Sequence, residues 1–236
     1  MGLPVLDTPR YQCELPSTGE TVEFRPFLVK EQKLLLMMKE GETEIAILET
    51  VRQLLESVVY TKLDIRRLPS FDIEYLFIQV RAKSVGETIQ LRFYCQNEEC
   101  DNGSADVNID LSEIVVSREN EKSNNIEVGE GVGITFKYPN IEVLQKVSEI
   151  SDVQEQVFQM IRLCGDTIYD EENVYDLSDV EEDEMKTFYE SLTIENSNDI
   201  QSFFMGMPQL SHKVDFKCEK CGTKGERELR GLSNFF

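Results

Sequence analysis

Four of the six cysteines in this chain fall into two pairs with metal-ligand spacing. Cys95-Gln-Asn-Glu-Glu-Cys100 is C-x4-C, and Cys218-Glu-Lys-Cys221-Gly is C-x2-C followed by glycine. A tight turn between two cysteines aims both sulfurs at one point, and the glycine lets backbone amides approach them. One pair supplies half a tetrahedron; two pairs complete a four-thiolate site. A closed site of that kind leaves no open position for water or substrate. The ion expected between Cys95, Cys100, Cys218 and Cys221 is therefore a structural zinc. The same thiolates suit an iron–sulfur cluster, and in an oxidising compartment they can pair as disulfides. A redox C-x2-C belongs to a strand-to-helix setting, whereas Cys221 leads through Gly222-Thr-Lys-Gly225 into a strand. Cys13 and Cys164 stand among apolar neighbours and read as small buried hydrophobes.

Each pair needs a hairpin to present it. Ile89, Leu91 and Phe93 alternate with polar residues up to Cys95, and Val107 and Ile109 alternate on the way out, a period of two that marks paired strands. Val214 and Phe216 before Cys218, with Leu229 and Leu232 after Cys221, describe the second hairpin. A clasp between the two joins Thr88–Ile109 to Lys213–Leu232, more than a hundred residues further along.

The remaining elements follow from the same signals. Tyr11–Leu15 and Thr21–Phe27 read as two strands about Pro16-Ser-Thr-Gly19, with Gly19 free to take positive φ and Pro26 confining the second strand to an edge or to its own end. Lys30–Lys39 is a helix stopped by Gly41. A second helix, Glu42–Val59, carries the stripe Ile45, Leu48, Val51, Leu55 and Val58. A third begins after Leu68-Pro-Ser70, buries Ile73, Leu76, Phe77 and Val80, and has Gly86 just past its end. Ser117–Asn125 is charged and polar, a linker. Gly131–Tyr138 is a strand, and Pro139 opens a helical region in which Val153, Val157, Met160, Ile161 and Cys164 share one face. The acidic stretch Asp170–Glu184 lacks the central glycine that a helix–loop–helix calcium loop needs. There, Ser178 and Glu181 form a capping box for a helix through Met185, Phe188 and Leu192. A short helix, Ile200–Met205, ends before Pro208. The fold class is α+β: helices packed with short antiparallel hairpins, two of them cysteine-tipped and forming a zinc-ribbon-like clamp. An N-terminal α+β part, 1–116, carries the first cysteine hairpin. A mostly helical part, 117–236, returns to the second, and the two parts form one intertwined unit.

Composition narrows the function. The chain of 236 residues is 40% hydrophobic and 29% charged, as folded proteins are, and no apolar run approaches the length of about 18 that a membrane helix needs. The opening Met1-Gly-Leu-Pro-Val-Leu-Asp7 has neither the basic nor the apolar region of a secretion signal, so the expected compartment is reducing. With 45 acidic residues against 24 basic, the net charge is −21, which repels nucleic-acid phosphates and anionic membranes. Around the second cysteine pair six basic residues from Lys213 to Arg230 are interleaved with four acidic ones, a mixed surface rather than a phosphate track. Catalytic candidates are few. His212 is the sole histidine, and G-x-S-x-G, a phosphate-cradling glycine loop and H-E-x-x-H are all missing. A non-enzymatic protein with no small-molecule substrate is the expectation.

Several segments taken together resemble the baseplate hub protein family of T-even-type contractile-tailed bacteriophages. They are Leu15-Pro-Ser-Thr-Gly-Glu-Thr-Val-Glu-Phe-Arg-Pro-Phe-Leu-Val-Lys-Glu-Gln-Lys33, Phe71-Asp-Ile-Glu-Tyr-Leu-Phe-Ile-Gln-Val-Arg-Ala-Lys-Ser-Val-Gly-Glu87, the cysteine hairpin after Gly86, and the closing Cys218-Glu-Lys-Cys-Gly with Leu229-Arg-Gly-Leu-Ser-Asn-Phe-Phe236. The resemblance is densest over 15–110 and 208–236. It implies a viral, non-enzymatic protein that helps build the hub of the tail baseplate. That protein is either a resident subunit in the virion tail or a chaperone for the hub or tape-measure protein that acts in the host cytoplasm and then leaves. Its implied partners are other baseplate hub and tail proteins. It supplies no catalytic residues, and its match over Arg81–Gly86 reads as helix-end architecture. The ending Leu232-Ser-Asn-Phe-Phe236 serves either as a partner contact or as part of the chain's own core. Readings from other classes are a nucleic-acid-binding zinc module and a hydrolase acting through His212.

Overall fold

The computed structural model describes residues 6–37 and 43–235. Strands β1 (Tyr11–Glu14) and β2 (Thr21–Phe24) pair antiparallel, and Gly19 in the turn between them takes φ 71°. Pairing stops at Phe24, two residues short of Pro26, which has no N–H to donate. Helix α1 (Val29–Met37) follows; its expected end at Lys39 and Gly41 lies outside the described residues. In α2 (Glu44–Val58), the Thr43 side chain accepts from Ala46 N at 3.3 Å, and Leu48, Val51, Leu54, Leu55 and Val58 are buried. Helix α3 (Ser70–Val85) is covered on more sides than one stripe allows: Phe71 and Ile78 are buried along with Ile73, Leu76, Phe77 and Val80. The hairpin β3 (Thr88–Tyr94) and β4 (Ser104–Asp110) comes next, then the short β5 (Val115–Ser117).

Beyond the expected linker the chain forms β6 (Asn125–Gly129), β7 (Val132–Phe136), α4 (Ile141–Ser148), α5 (Val153–Cys164), β8 (Gly165–Tyr169), β9 (Val174–Asp176), α6 (Glu182–Glu190) and α7 (Ile194–Met205). Strands β10 (Gln209–Lys217) and β11 (Lys224–Arg230) follow, with a 3-10 turn at Leu232–Phe235. Asn140 caps α4 and Asp152 caps α5, each accepting the N–H three residues on, at 3.0 and 2.9 Å.

The described residues fall into two compact units. The first takes in Met1–Ile65, Phe71–Ser117 and Gln209–Phe236, so the last strands rejoin the first part of the chain; the second takes in Arg66–Ser70 and Arg118–Pro208. In the first unit β5, β10 and β11 form one sheet in the order β11-β10-β5, beside the β1–β2 and β3–β4 hairpins. In the second, the antiparallel sheet β6-β7-β8-β9 and the helices α4–α7 enclose a core that includes Ile134, Phe136, Phe158, Ile161, Ile200 and Phe203. No described helix is long and apolar enough to cross a membrane.

Four local expectations need correction. The part from 117 on, expected to be mostly helical, continues after Cys164 as strands. Gly165–Tyr169 turns back as β8 onto β7, and Asp170 accepts the N–H groups of Glu172 and Asn173, both at 2.8 Å, in the turn to β9. Ser178 caps no helix, because its N–H and hydroxyl both donate to Asp176, at 2.9 and 2.7 Å; α6 starts at Glu182 behind Glu181, without a side-chain cap. Helix α7 begins six residues before Ile200, where Thr193 and Asn196 make a reciprocal capping box. Leu232 lies in the 3-10 turn rather than in a strand; it and Phe235 are buried, while Phe236 is outside the described residues. For Phe235 the core reading holds.

The first unit also buries charge. Arg25 Nη2 donates to Glu31 Oε1 at 2.9 Å and to Ser57 O at 3.0 Å. Burial raises the pKa of Glu31, but the bonds from Arg25 and from Leu28 N overcome that and hold it at about 2. Asp72 accepts from the N–H of Ser17 at 3.0 Å and from its hydroxyl, which ties the β1–β2 turn to α3. Glu74 differs. It is 7% exposed, and burial, helped by the charge of Glu44, pushes its carboxyl up to about 8 against the pull of Leu232 N–H. A carboxyl held protonated by the fold stabilises below its unfolded pKa of 4.5, and that contribution is lost as pH rises through about 8. Glu74→Gln should therefore match the native chain in stability near pH 4 and exceed it by about 3–5 kcal/mol at pH 9. Urea melts of both chains across this range check it, and a gap that does not grow with pH refutes it.

Candidate metal centre

The first cysteine turn is built by β3 and β4, which run in register from Thr88↔Asp110 to Tyr94↔Ser104, with Ile89, Phe93, Ala105 and Ile109 buried. Cys95 N donates to Gly103 O at 2.8 Å and so extends the ladder by one step. Within the turn Cys100 N donates to Asn97 O at 2.9 Å, and Glu99 N donates to Asn97 Oδ1 at 3.0 Å, an Asx turn that folds Cys100 back toward Cys95. The second turn caps β10 and β11, paired from Ser211↔Arg230 to Lys217↔Lys224. Cys218 N reaches Thr223 O and Gly222 N reaches Cys218 O, both at 2.9 Å, and Gly222 takes φ 74°, a conformation that other residues adopt at a cost.

Protein contacts alone bring the two turns together. Phe93 and Phe216 stack with ring centroids 5.3 Å apart, Glu219 N donates to Ser104 O at 3.0 Å, and Lys220 Nζ donates to Asp101 O at 2.6 Å. The result gathers all four cysteines named from the sequence. Cys95 Sγ lies 3.6 Å from Cys221 Sγ, Cys100 Sγ lies 3.8 Å from Cys218 Sγ, and the four sulfurs are mutually within 4.8 Å. A tetrahedron with metal–sulfur bonds of about 2.3 Å has edges of about 3.8 Å. A disulfide needs about 2.05 Å, and all six cysteines are free thiols. The donor set fits a single ion with four thiolate ligands.

Electrostatics favours an ion as well. The Thr223 hydroxyl, 3.2 Å from Cys221 Sγ, and the Thr223 N–H lower the pKa of Cys221 to about 6. Its hydrogen bond with Cys221, followed by burial, pushes Cys100 the other way, to about 12. Four sulfurs this close cannot all shed their protons unless a cation compensates the charge, as a bound metal does. Asn97 N, 3.5 Å from Cys95 Sγ, is a further dipole aimed at the cluster.

The structure also supplies a residue that spacing did not single out. A Cβ on Gly103 would lie 2.4 Å from Cys100 Sγ and 2.7 Å from Cys218 Sγ, so only glycine leaves room for the sulfurs to converge. Its trace in the sequence is a glycine three positions past Cys100. The amide that approaches Cys221 belongs to Thr223, so Gly222 acts through its turn geometry rather than by its own N–H. The remaining cysteines stand apart: Cys13 is half-buried on β1, and Cys164 is buried in the core of the second unit with its thiol pushed up to about 12 by burial. His212 sits on β10 opposite Leu229, and its neighbours Ser211 and Lys213 project to the other face of the strand, so the three do not converge.

A model of the T4 bacteriophage base plate protein family matches residues 8–236. No curated protein and no solved structure matches the chain.

Gly103→Ala should weaken metal binding roughly 10–100-fold, the range seen when a residue supporting the ligands is altered, while leaving the β3–β4 pairing intact. Titration of the native and altered chains with cobalt(II), read by thiolate-to-metal absorption, checks this; equal affinities would show that the glycine is not needed.

Proposed function

We propose that this chain, which belongs to the T4 bacteriophage base plate protein family, is a non-enzymatic protein that builds the baseplate hub through protein contacts, with Cys95, Cys100, Cys218 and Cys221 holding one structural zinc ion. The observation that carries the role is the family match over 229 of the 236 residues, from 8 to 236. Membership of the family implies interaction with other phage baseplate proteins. The fit of the sulfur cluster to one tetrahedral ion supports zinc. Its 3.6 and 3.8 Å edges suit a single centre, whereas a multi-iron cluster spreads its thiolates around several metal atoms. When bound, zinc cross-links the two hairpins and contributes folding energy; it activates no water, because protein sulfur fills all four positions.

The chain's own residues do the rest. The Phe93–Phe216 stack and the Glu219–Ser104 bond set the distance between the turns, Gly103 leaves room for the sulfurs, and Thr223 stabilises the Cys221 thiolate. The role is that of a resident hub subunit or of an assembly chaperone for the hub or tape-measure protein. The mixed charge of the β10–β11 hairpin argues against a nucleic-acid module.

Metal analysis of the purified chain should find one zinc and no iron per molecule. Chelation, or Cys218→Ser, should cost on the order of 5 kcal/mol or more in unfolding free energy. A native chain that is fully folded without metal, or that carries iron, overturns the zinc assignment. Mass spectrometry of purified particles, paired with co-purification from infected cells, tests the role. Presence in particles marks a resident subunit. Absence from particles, with hub proteins co-purifying, marks an assembly factor. Absence from both rejects the hub role. His212→Ala should leave phage yield unchanged; a lost yield with an intact fold would revive a catalytic reading.

A further inference from the structure

The chain's negative charge is unevenly placed. Residues 118–208 hold 21 acidic and 6 basic side chains; with Arg66 and Arg67, which also belong to the second unit, that unit carries a net charge of −13 out of −21. That unit also contains an open groove of about 580 Å³ between α5, α6 and α7. Each helix contributes one face. Val153 and Val157 are one turn apart on α5, and Tyr189 on α6 packs against Phe158 with ring centroids 5.6 Å apart. On α7, Ser197 and Gln201 line the groove, and Ile194 shares their face at three and seven positions' remove. Two of these apolar side chains are left in water: Val153 is 69% exposed and Ile194 83%.

The rim carries Asp152, Glu155 and Glu190 against a single lysine, Lys186. Two of the carboxylates are held in place: Asp152 accepts from Glu155 N at 2.9 Å, and Glu155 accepts from Gln159 Nε2 at 2.8 Å. An apolar floor between helices, open along its length, suits an amphipathic helix that anchors side chains at i, i+3, i+4 and i+7. The acidic rim selects one whose polar face is basic and repels an acidic one.

We infer that the α5–α6–α7 groove is the docking site for a basic amphipathic helix of a partner protein. The inference rests on the reading that the chain acts through protein contacts, and it names the chemistry of one such partner. Fluorescence anisotropy with the full-length chain tests it, using a labelled synthetic helix with leucines on one face and lysines on the other. A second helix keeps the leucines and carries glutamates. The basic helix should bind and the acidic one should not. Val153→Asp with Ile194→Asp, and separately Glu155→Lys with Glu190→Lys, should each weaken binding roughly tenfold or more. Glu171→Lys with Glu172→Lys, in the β8–β9 turn, makes the same change in net charge away from the groove and should shift affinity less than about twofold. Circular dichroism confirms that each variant is folded. Equal weakening by the Glu171/Glu172 pair would reduce the effect to the general acidic field, and binding of the acidic helix, or binding unaffected by the Val153/Ile194 pair, would overturn the site. No baseplate protein enters this titration, so its failure leaves the hub role standing. Conversely, a groove that binds in a chain found neither in particles nor with hub proteins would reject the hub role alone.

Discussion

Four thiol sulfurs held within 4.8 Å of one another are an arrangement that the polypeptide tolerates only under specific conditions. Deprotonated, they repel; protonated, they waste the geometry that gathers them. A tetrahedral cation would resolve the conflict, and the two hairpins would present it with four sulfurs already gathered. The aromatic stack of Phe93 on Phe216 and the bond from Glu219 N to Ser104 O hold the two turns together without any metal, so an ion would not have to order both turns from the unfolded chain. The same contacts bring β3 and β4 against β10 and β11, which lie about a hundred residues apart along the polymer, and such a closure gains most from a strong cross-link.

The cysteine hairpins were legible because two independent signals agreed there: alternation of apolar and polar residues along the strands, and paired cysteines at the tips. The helix α2 was legible from its long apolar stripe, since Leu48, Val51, Leu55 and Val58 repeat at helical spacing; its Thr43 cap emerged only in the structure. Where only one short signal was present, the reading went astray. Gly-Asp-Thr-Ile-Tyr169 is too short to show a period, and acidic residues follow it, so β8 and β9 were hidden. Ser178 and Glu181 have capping-box spacing, but Asp176 takes the serine hydroxyl first. Helix α3 shows little contrast between its faces because several elements cover it, so its pattern marked only half of what it buries.

The site shows a similar limit. Ligand identity is a matter of residue type and spacing, both visible in one dimension. The space the ligands need is set by a neighbour's missing side chain, and Gly103 declares its role only when the sulfurs of Cys100 and Cys218 are seen 2.4 and 2.7 Å from where its Cβ would be. The grouping of acidic residues was visible as composition, but its tie to a three-helix groove required knowing which faces of α5, α6 and α7 come together.

The way the first unit is pieced together has a bearing on synthesis. Its three-stranded sheet takes β5 from the middle of the polypeptide and β10 and β11 from near the end, with the whole of 118–208 translated in between. A ribosome therefore releases all of 118–208, the bulk of the second unit, while β5 still waits for its neighbour and Cys95 and Cys100 for Cys218 and Cys221. During that interval Phe93 lacks Phe216, the ring it stacks on, and Cys95 and Cys100 lack the other two sulfurs of their cluster. The set of four sulfurs is thus complete only near the end of translation, and a product terminated before Cys218 keeps the acidic unit but not the clasp.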